Sequence, residues 1–194
     1  MSAEFEFETE LEALSVLEEL KKEKAALDTL RRTNSKAGVA AIRKEKGNLK
    51  SDLKKSTAFV KKIRAITCEG LLQCLRDAET LNLSHHISEI ASAVVEAKFK
   101  VSEVSSIIKL CVLLHQRYED FTLPLLQGLK DSIISDAGEE SGKTRRIQLR
   151  MLIELYQCGV FAEEEYFTLL LRYLSGKPIG TGKSYVQVYQ CFSH

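Results

Sequence analysis

The chain has 194 residues, 44% hydrophobic and 28% charged, with 10 Gly and 2 Pro. Leu, Ile, Val and Phe are plentiful enough to exclude a wholly disordered chain, and the low Gly and Pro counts exclude collagen-like and proline-rich classes. The net charge of +1 hides three blocks: residues 1–35 carry net −4, residues 36–66 net +8 and residues 67–194 net −3. Whole-chain charge therefore selects no partner, whereas the middle block is a candidate contact for a polyanion.

The five cysteines, Cys68, Cys74, Cys111, Cys158 and Cys191, are odd in number and widely spaced. The start of the chain, Met-Ser-Ala-Glu-Phe-Glu-Phe-Glu, is acidic where a secretory signal would be basic. Reduced thiols in a soluble, intracellular protein are the expectation. The most apolar run, Ile107 to Leu114, contains Lys109 and is far shorter than the ~20 residues a bilayer span needs, so no membrane contact is expected.

In chain order, Glu10 to Arg32 is built from strong helix formers. Leu11, Leu14, Leu17 and Leu20 mark one face, with Leu27 and Leu30 beyond. Ala13, Val16, Leu20, Leu27 and Leu30 make only a broken heptad, because Glu23 occupies a seam position. A solvated amphipathic helix is expected rather than a coiled coil. Thr33 to Gly38 reads as a break. A second helix is expected from Val39, or at the latest Asn48, to about Ile66, with Leu53, Phe59, Val60 and Ile63 as its apolar positions. A short helix follows over Glu69 to Glu79.

From Ser84 the pattern becomes regular. Ile87, Ile90, Ala91, Val94 and Val95 form one helical face, and Val104, Ile107, Ile108, Cys111 and Leu114 repeat its spacing, with Ser102 as a cap and Glu103 in the first turn. A third helix of this series begins near Thr122 and Pro124. Asp136 to Lys143 reads as a polar loop. Thr144 to Cys158 forms a fourth helix ended by Gly159, and a fifth starts near Ala162. Gly176 to Gly182 breaks the chain, and Ser184 to Phe192 opens another helix. No strand is expected. One helical hairpin per about 40 residues is the period of HEAT-type arrays. The fold class read from these elements is all-α: an array of antiparallel helical hairpins, an α-solenoid, with an N-terminal helical extension. Residues 1–47 form the extension and 48–194 the array.

Most constellations that suggest chemistry have a structural explanation. Gly176 to Ser184 resembles a phosphate-binding loop, but five residues instead of four separate Gly176 from Gly182-Lys183-Ser184, and an amphipathic helix rather than a strand precedes it. Cys111 and His115 share a helix face, but no second pair has ligand spacing for a closed zinc site. They read as a buried thiol and a packed histidine. His85-His86 reads as a helix start. Glu163, Glu164 and Glu165 diverge around their helix and read as first-turn charges that complement its dipole. No acid, base, metal cluster or cofactor loop remains, so a non-enzyme without cofactor or small-molecule substrate is expected. The basic block alone supports a functional reading. Lys50, Lys54, Lys55, Lys61, Lys62 and Arg64 are candidate contacts for RNA phosphates or an acidic partner. The alternative is a face that is solvated or docked against the acidic first helix.

Four tracts, in order, resemble one family: Leu53 to Arg64 (LKKSTAFVKKIR), Leu81 to Ser84, Val95 to Ser102 and Leu110 to Phe121 (LCVLLHQRYEDF), with a weaker likeness from Arg150 to Phe161. Together they are similar to the first middle-domain repeat of the up-frameshift protein 2 family, the regulators of nonsense transcripts 2. The resemblance implies a HEAT-like domain of the eukaryotic initiation factor 4G type, acting as a non-enzymatic scaffold in nonsense-mediated mRNA decay. It implies a cytoplasmic, in part perinuclear, location. It also implies that contacts to up-frameshift proteins 1 and 3 belong to other parts of a longer chain. Asp136 to Lys143 is shorter than the family pattern, and the sequence stops within a helix, which points to a truncated domain. Val186, Val188, Tyr189 and Phe192 would then form an exposed apolar end. The rival from another class is a nucleic-acid-binding helical module that uses the 36–66 block directly.

Overall fold

The computed structural model describes residues 2–44, 52–65, 68–134 and 141–162. Eight α-helices appear there: α1 Ser2–Asn34, α2 Lys36–Lys44, α3 Leu53–Arg64, α4 Cys68–Thr80, α5 Ile87–Glu96, α6 Val104–Arg117, α7 Thr122–Ile134 and α8 Ser141–Gln157. Short 3-10 turns at Ser84–His86, Val101–Glu103 and Glu119–Phe121 lead into α5, α6 and α7. The all-α expectation holds.

The helices form two layers. α3, α5 and α7 lie side by side in one, and α4, α6 and α8 in the other. Each helix therefore meets the helix two places on, as in stacked hairpins of a solenoid. The apolar periodicity explains the arrangement. On α5, Ile87, Ile90, Ala91 and Val94 are buried; on α6, Val104, Ile107, Ile108, Cys111 and Leu114 are buried. A single continuous core runs from Phe59 on α3 to Phe161 beyond α8.

The first seventy residues differ from the expected pattern in three places. The break at Thr33 to Gly38 narrows to Ser35, which lies between α1 and α2. The Ser35 hydroxyl accepts from the Gly38 N–H at 3.3 Å and so caps α2. Gly38 is required there, because a Cβ would lie 2.5 Å from the Thr33 carbonyl oxygen. The second expected helix is two: α2 ends at Lys44, and α3 starts after Asp52, whose carboxylate accepts from the Lys55 N–H at 3.1 Å. Leu53, expected in the core, is the first residue of α3 and is 72% exposed. Phe59, Val60 and Ile63 are buried as expected.

The cap of α6 also differs. Ser102 lies inside a 3-10 turn, and Glu103 stands at the N-cap position of α6 without a side-chain capping bond; its carboxylate instead accepts from the Lys100 N–H at 2.8 Å and closes the preceding turn. Gly159 ends α8 as expected, with φ +74.

Candidate functional site

The basic face is built by α3. Ser56, Phe59, Val60 and Ile63 turn one side of this helix into the core, so the intervening positions must face outward. Lys54, Lys55, Lys61, Lys62 and Arg64 are all exposed on that outer half. Lys50 lies outside the described residues. The array's own carboxylates tie down the flanks of the face. Lys62 Nζ donates to Asp77 Oδ2 of α4 at 2.9 Å, and Arg64 Nε lies 3.4 Å from Glu96 Oε2 of α5. Lys55 Nζ lies 3.8 Å from Asp52.

Titration follows this geometry. The Asp77 hydrogen bond holds the Lys62 ammonium above its ordinary range. Burial pulls Asp77 upward, but the hydrogen bonds from Lys62 and Gln73 outweigh it and lower its pKa. Lys54 and Lys61 point outward between these pairs, with no carboxylate of the described residues in salt-bridge range. They are two turns apart, roughly 10 Å along the axis. The face is thus partly solvated and partly clasped by α4 and α5, and its ion pairs among the described residues do not involve the acidic first helix.

A second cluster fixes the extension to the array, and local spacing could not reveal it. Buried Asn34, at the end of α1, donates from Nδ2 to the Cys158 carbonyl at 2.7 Å. Its Oδ1 accepts from Gln116 Nε2 at 2.8 Å. His115 Nε2 lies 3.2 Å from the Asn34 carbonyl and Nδ1 lies 2.6 Å from the Thr122 hydroxyl. One neutral tautomer satisfies both contacts: Nε2–H donates to the carbonyl and Nδ1 accepts from the hydroxyl. Burial, aided by the Arg43 charge, lowers the imidazole pKa against the opposing pull of the Asn34 carbonyl. Arg43 of α2 donates to the His115 carbonyl at 3.0 Å and pairs with Glu119 at 3.3 Å. The Arg31 guanidinium lies over the Tyr156 ring at 5.4 Å from its centroid. His115 is therefore a packed histidine. Cys111, at its side on α6, is a buried thiol that desolvation pushes up to about 12.

Two tracts noted in the sequence meet in space. The Tyr118 hydroxyl accepts from the Leu83 N–H at 2.9 Å and donates to the Leu81 carbonyl at 3.2 Å. Arg117 donates to the Ala78 and Glu79 carbonyls at 2.8 and 2.6 Å. The end of α6 thereby secures the link from α4 to α5. His86, as expected near a helix start, lies with Nδ1 3.1 Å from Glu89.

Several sequence candidates fall outside the described residues: the Gly176 to Ser184 loop, Glu163 to Glu165, and the apolar end at Val186, Val188, Tyr189 and Phe192. Among the described residues, no group of three or more His, Cys, Asp or Glu side chains could hold a metal ion. Nor is any described helix long and apolar enough to cross a membrane.

A two-layer array of stacked helical hairpins with a projecting N-terminal helix defines an all-α helical-repeat domain of the solenoid class. Its fold matches the crystal structure of the first MIF4G domain of the human nonsense mediated decay factor UPF2, with a TM-score of 0.68 and 31% identity, over 85% of this chain and 55% of that one. In sequence the chain is 34% identical over 176 residues to Regulator of nonsense transcripts UPF2 of Arabidopsis thaliana, covering 84% of the chain. It is 39% identical over 128 residues to human Regulator of nonsense transcripts 2, covering 65% of the chain. No family model matches. The chain belongs to the regulator of nonsense transcripts 2 family, and its array is a domain of the first-MIF4G type. It spans 14% of the length of the Arabidopsis relative and 10% of the human one.

Proposed function

We infer that the chain is a non-enzymatic adaptor domain of nonsense-mediated mRNA decay, with 1–47 as an extension and 48–194 as the array. The observation that carries this reading is the likeness of both sequence and fold to one domain of one decay factor. The partners are protein components of the surveillance machinery. Contacts to up-frameshift proteins 1 and 3 are assigned to other parts of a longer protein, so no residue here is given to either. The working location is the cytoplasm.

Tethering the chain to a reporter transcript tests this reading. An adaptor recruits decay factors and shortens the reporter's half-life, and cross-linking recovers surveillance proteins bound to the array. An unchanged half-life together with no surveillance protein among the cross-links would overturn it.

A second reading is favoured by the outward Lys54 and Lys61, which have no carboxylate partner among the described residues: the α3 ridge contacts RNA phosphates. Counterion release makes such binding fall steeply with salt. RNA affinity that drops with salt and is abolished by reversing Lys54, Lys55, Lys61 and Lys62 supports it. No measurable affinity at low salt returns the ridge to a solvated role.

A further inference from the structure

Among the described residues, α1 is largely unpartnered. Its 33 residues make a rod of about 50 Å, and its contacts with the described part of the array come from its C-terminal end, at Leu30, Arg31 and Asn34. Before that docked end, Leu14, Val16, Leu17, Leu20 and Leu27 are between 37% and 59% exposed. Val16, Leu17, Leu20 and Leu27 fall within about 100° of one another around the helix, so they form one stripe. Scattered exposed leucines need no explanation, but a stripe on a projecting helix does.

Charge identifies what covers it. Residues 2–20 hold seven acids and no base, whereas residues 21–34 hold five bases and two acids. The helix dipole favours such a bias only in the first and last turns. Here the sign changes near mid-helix, at Glu19 to Lys21, beside the centre of the stripe at Leu20. A parallel partner with this sequence would set acid against acid. An antiparallel one sets the acidic half of each helix along the basic half of the other, with the leucines between them.

We propose that two copies of this chain associate through α1 as an antiparallel, two-fold-symmetric helical pair centred at Leu20, which sets Glu18 and Glu19 of each copy opposite Lys22 and Lys21 of the other. Such a contact is self-complementary, as an isologous interface requires. Glu23, in the seam, weakens it, so association is concentration-dependent rather than permanent. The two arrays sit at opposite ends of the paired rod, which leaves both α3 ridges free.

Sedimentation equilibrium of the full chain at low salt tests the pairing. Wild type forms dimers. Leu17→Gln with Leu20→Gln keeps good helix formers and removes the stripe, so dimerisation weakens on the order of tenfold or more while the thermal midpoint of the array holds. Reversing Glu4, Glu6, Glu8, Glu10 and Glu12 to Lys weakens it, as does reversing Lys21, Lys22 and Lys24 to Glu. Mixing the two variants restores it. X-ray scattering shows two masses at opposite ends of a rod. A monomer at concentrations up to roughly 1 mM, a dimer indifferent to the double Gln variant, a mixture that stays monomeric, or two masses side by side would each overturn the proposal.

Discussion

His115 joins three helices: its ring reaches α1 through the Asn34 carbonyl and α7 through the Thr122 hydroxyl, and its backbone carbonyl reaches α2 by accepting from Arg43. Both ring nitrogens are used in the neutral form. The groups that face it are Asn34, Thr122, Arg43 and, through Arg43, Glu119. Its folded pKa lies below the ordinary 6.5, so between those two values the unfolded chain binds more protons than the folded one. The stability from this group is therefore complete above pH 6.5 and is lost as pH falls through and below it. We expect the thermal midpoint to drop from about pH 7.5 to about pH 5.5, and His115→Gln to flatten that part of the profile. A profile unchanged by the substitution contradicts the assignment. Tyr118 offers a second test at this scale. Tyr118→Phe leaves the buried Leu83 N–H and the Leu81 carbonyl without their partner, which costs roughly 1–3 kcal/mol, read as a lower denaturant midpoint at constant slope.

Among the elements, α1 and α2 meet the array at one short junction, where Leu30 and buried Val39 join the polar contacts of Asn34 and Arg43, whereas α5 and α6 are packed along their lengths. Hydrogen exchange should separate the two. Asn34→Ala removes the bonds to Cys158 and Gln116, and we expect faster exchange across α2 and the end of α1 with α5 and α6 unchanged. Equal loss of protection throughout would mean that the extension unfolds only with the core. Gly159 serves the same junction. It ends α8 at φ +74, and a Cβ there would lie 3.0 Å from the Arg31 Cα. Gly159→Ala incurs both the left-handed backbone cost and that backbone approach, so we expect a loss of about 1 kcal/mol or more by chemical denaturation.

At the scale of the molecule, the continuous core makes the array one cooperative unit. Cys111, fully buried at its centre with a thiol pushed up to about 12, is a reporter of that unit. Alkylation of Cys111 at about pH 8 should follow global unfolding and slow in step with added stability, because the thiolate is absent from the folded state. Labelling faster than global unfolding would reveal a local opening between α4, α6 and α8.

The helices of the array were legible because burial imposes its own period. Ile87 to Val94 and Val104 to Leu114 repeat at the helical spacing because one side of each helix faces its neighbours, and that side is the same whichever neighbour it meets. The outward direction of Lys54 and Lys61 follows from the same rule, since Phe59, Val60 and Ile63 take the inner side. The family tracts were legible for a related reason: Leu81 to Ser84 and Leu110 to Phe121 hold each other through Tyr118, so both carry the pattern of one joint. Other features depended on where distant segments meet. Asn34 lies 124 residues from Cys158, and nothing in the spacing of either announces their bond. Leu53 has the residue type of a core position but falls at the open start of α3. The acids that clasp Lys62 and Arg64 come from α4 and α5, not from the acidic first helix, because stacking brings α4 and α5 against α3 while α1 meets α2 and α6. Periodicity sets which side of a helix turns inward, but only the packed fold sets what stands opposite each side chain.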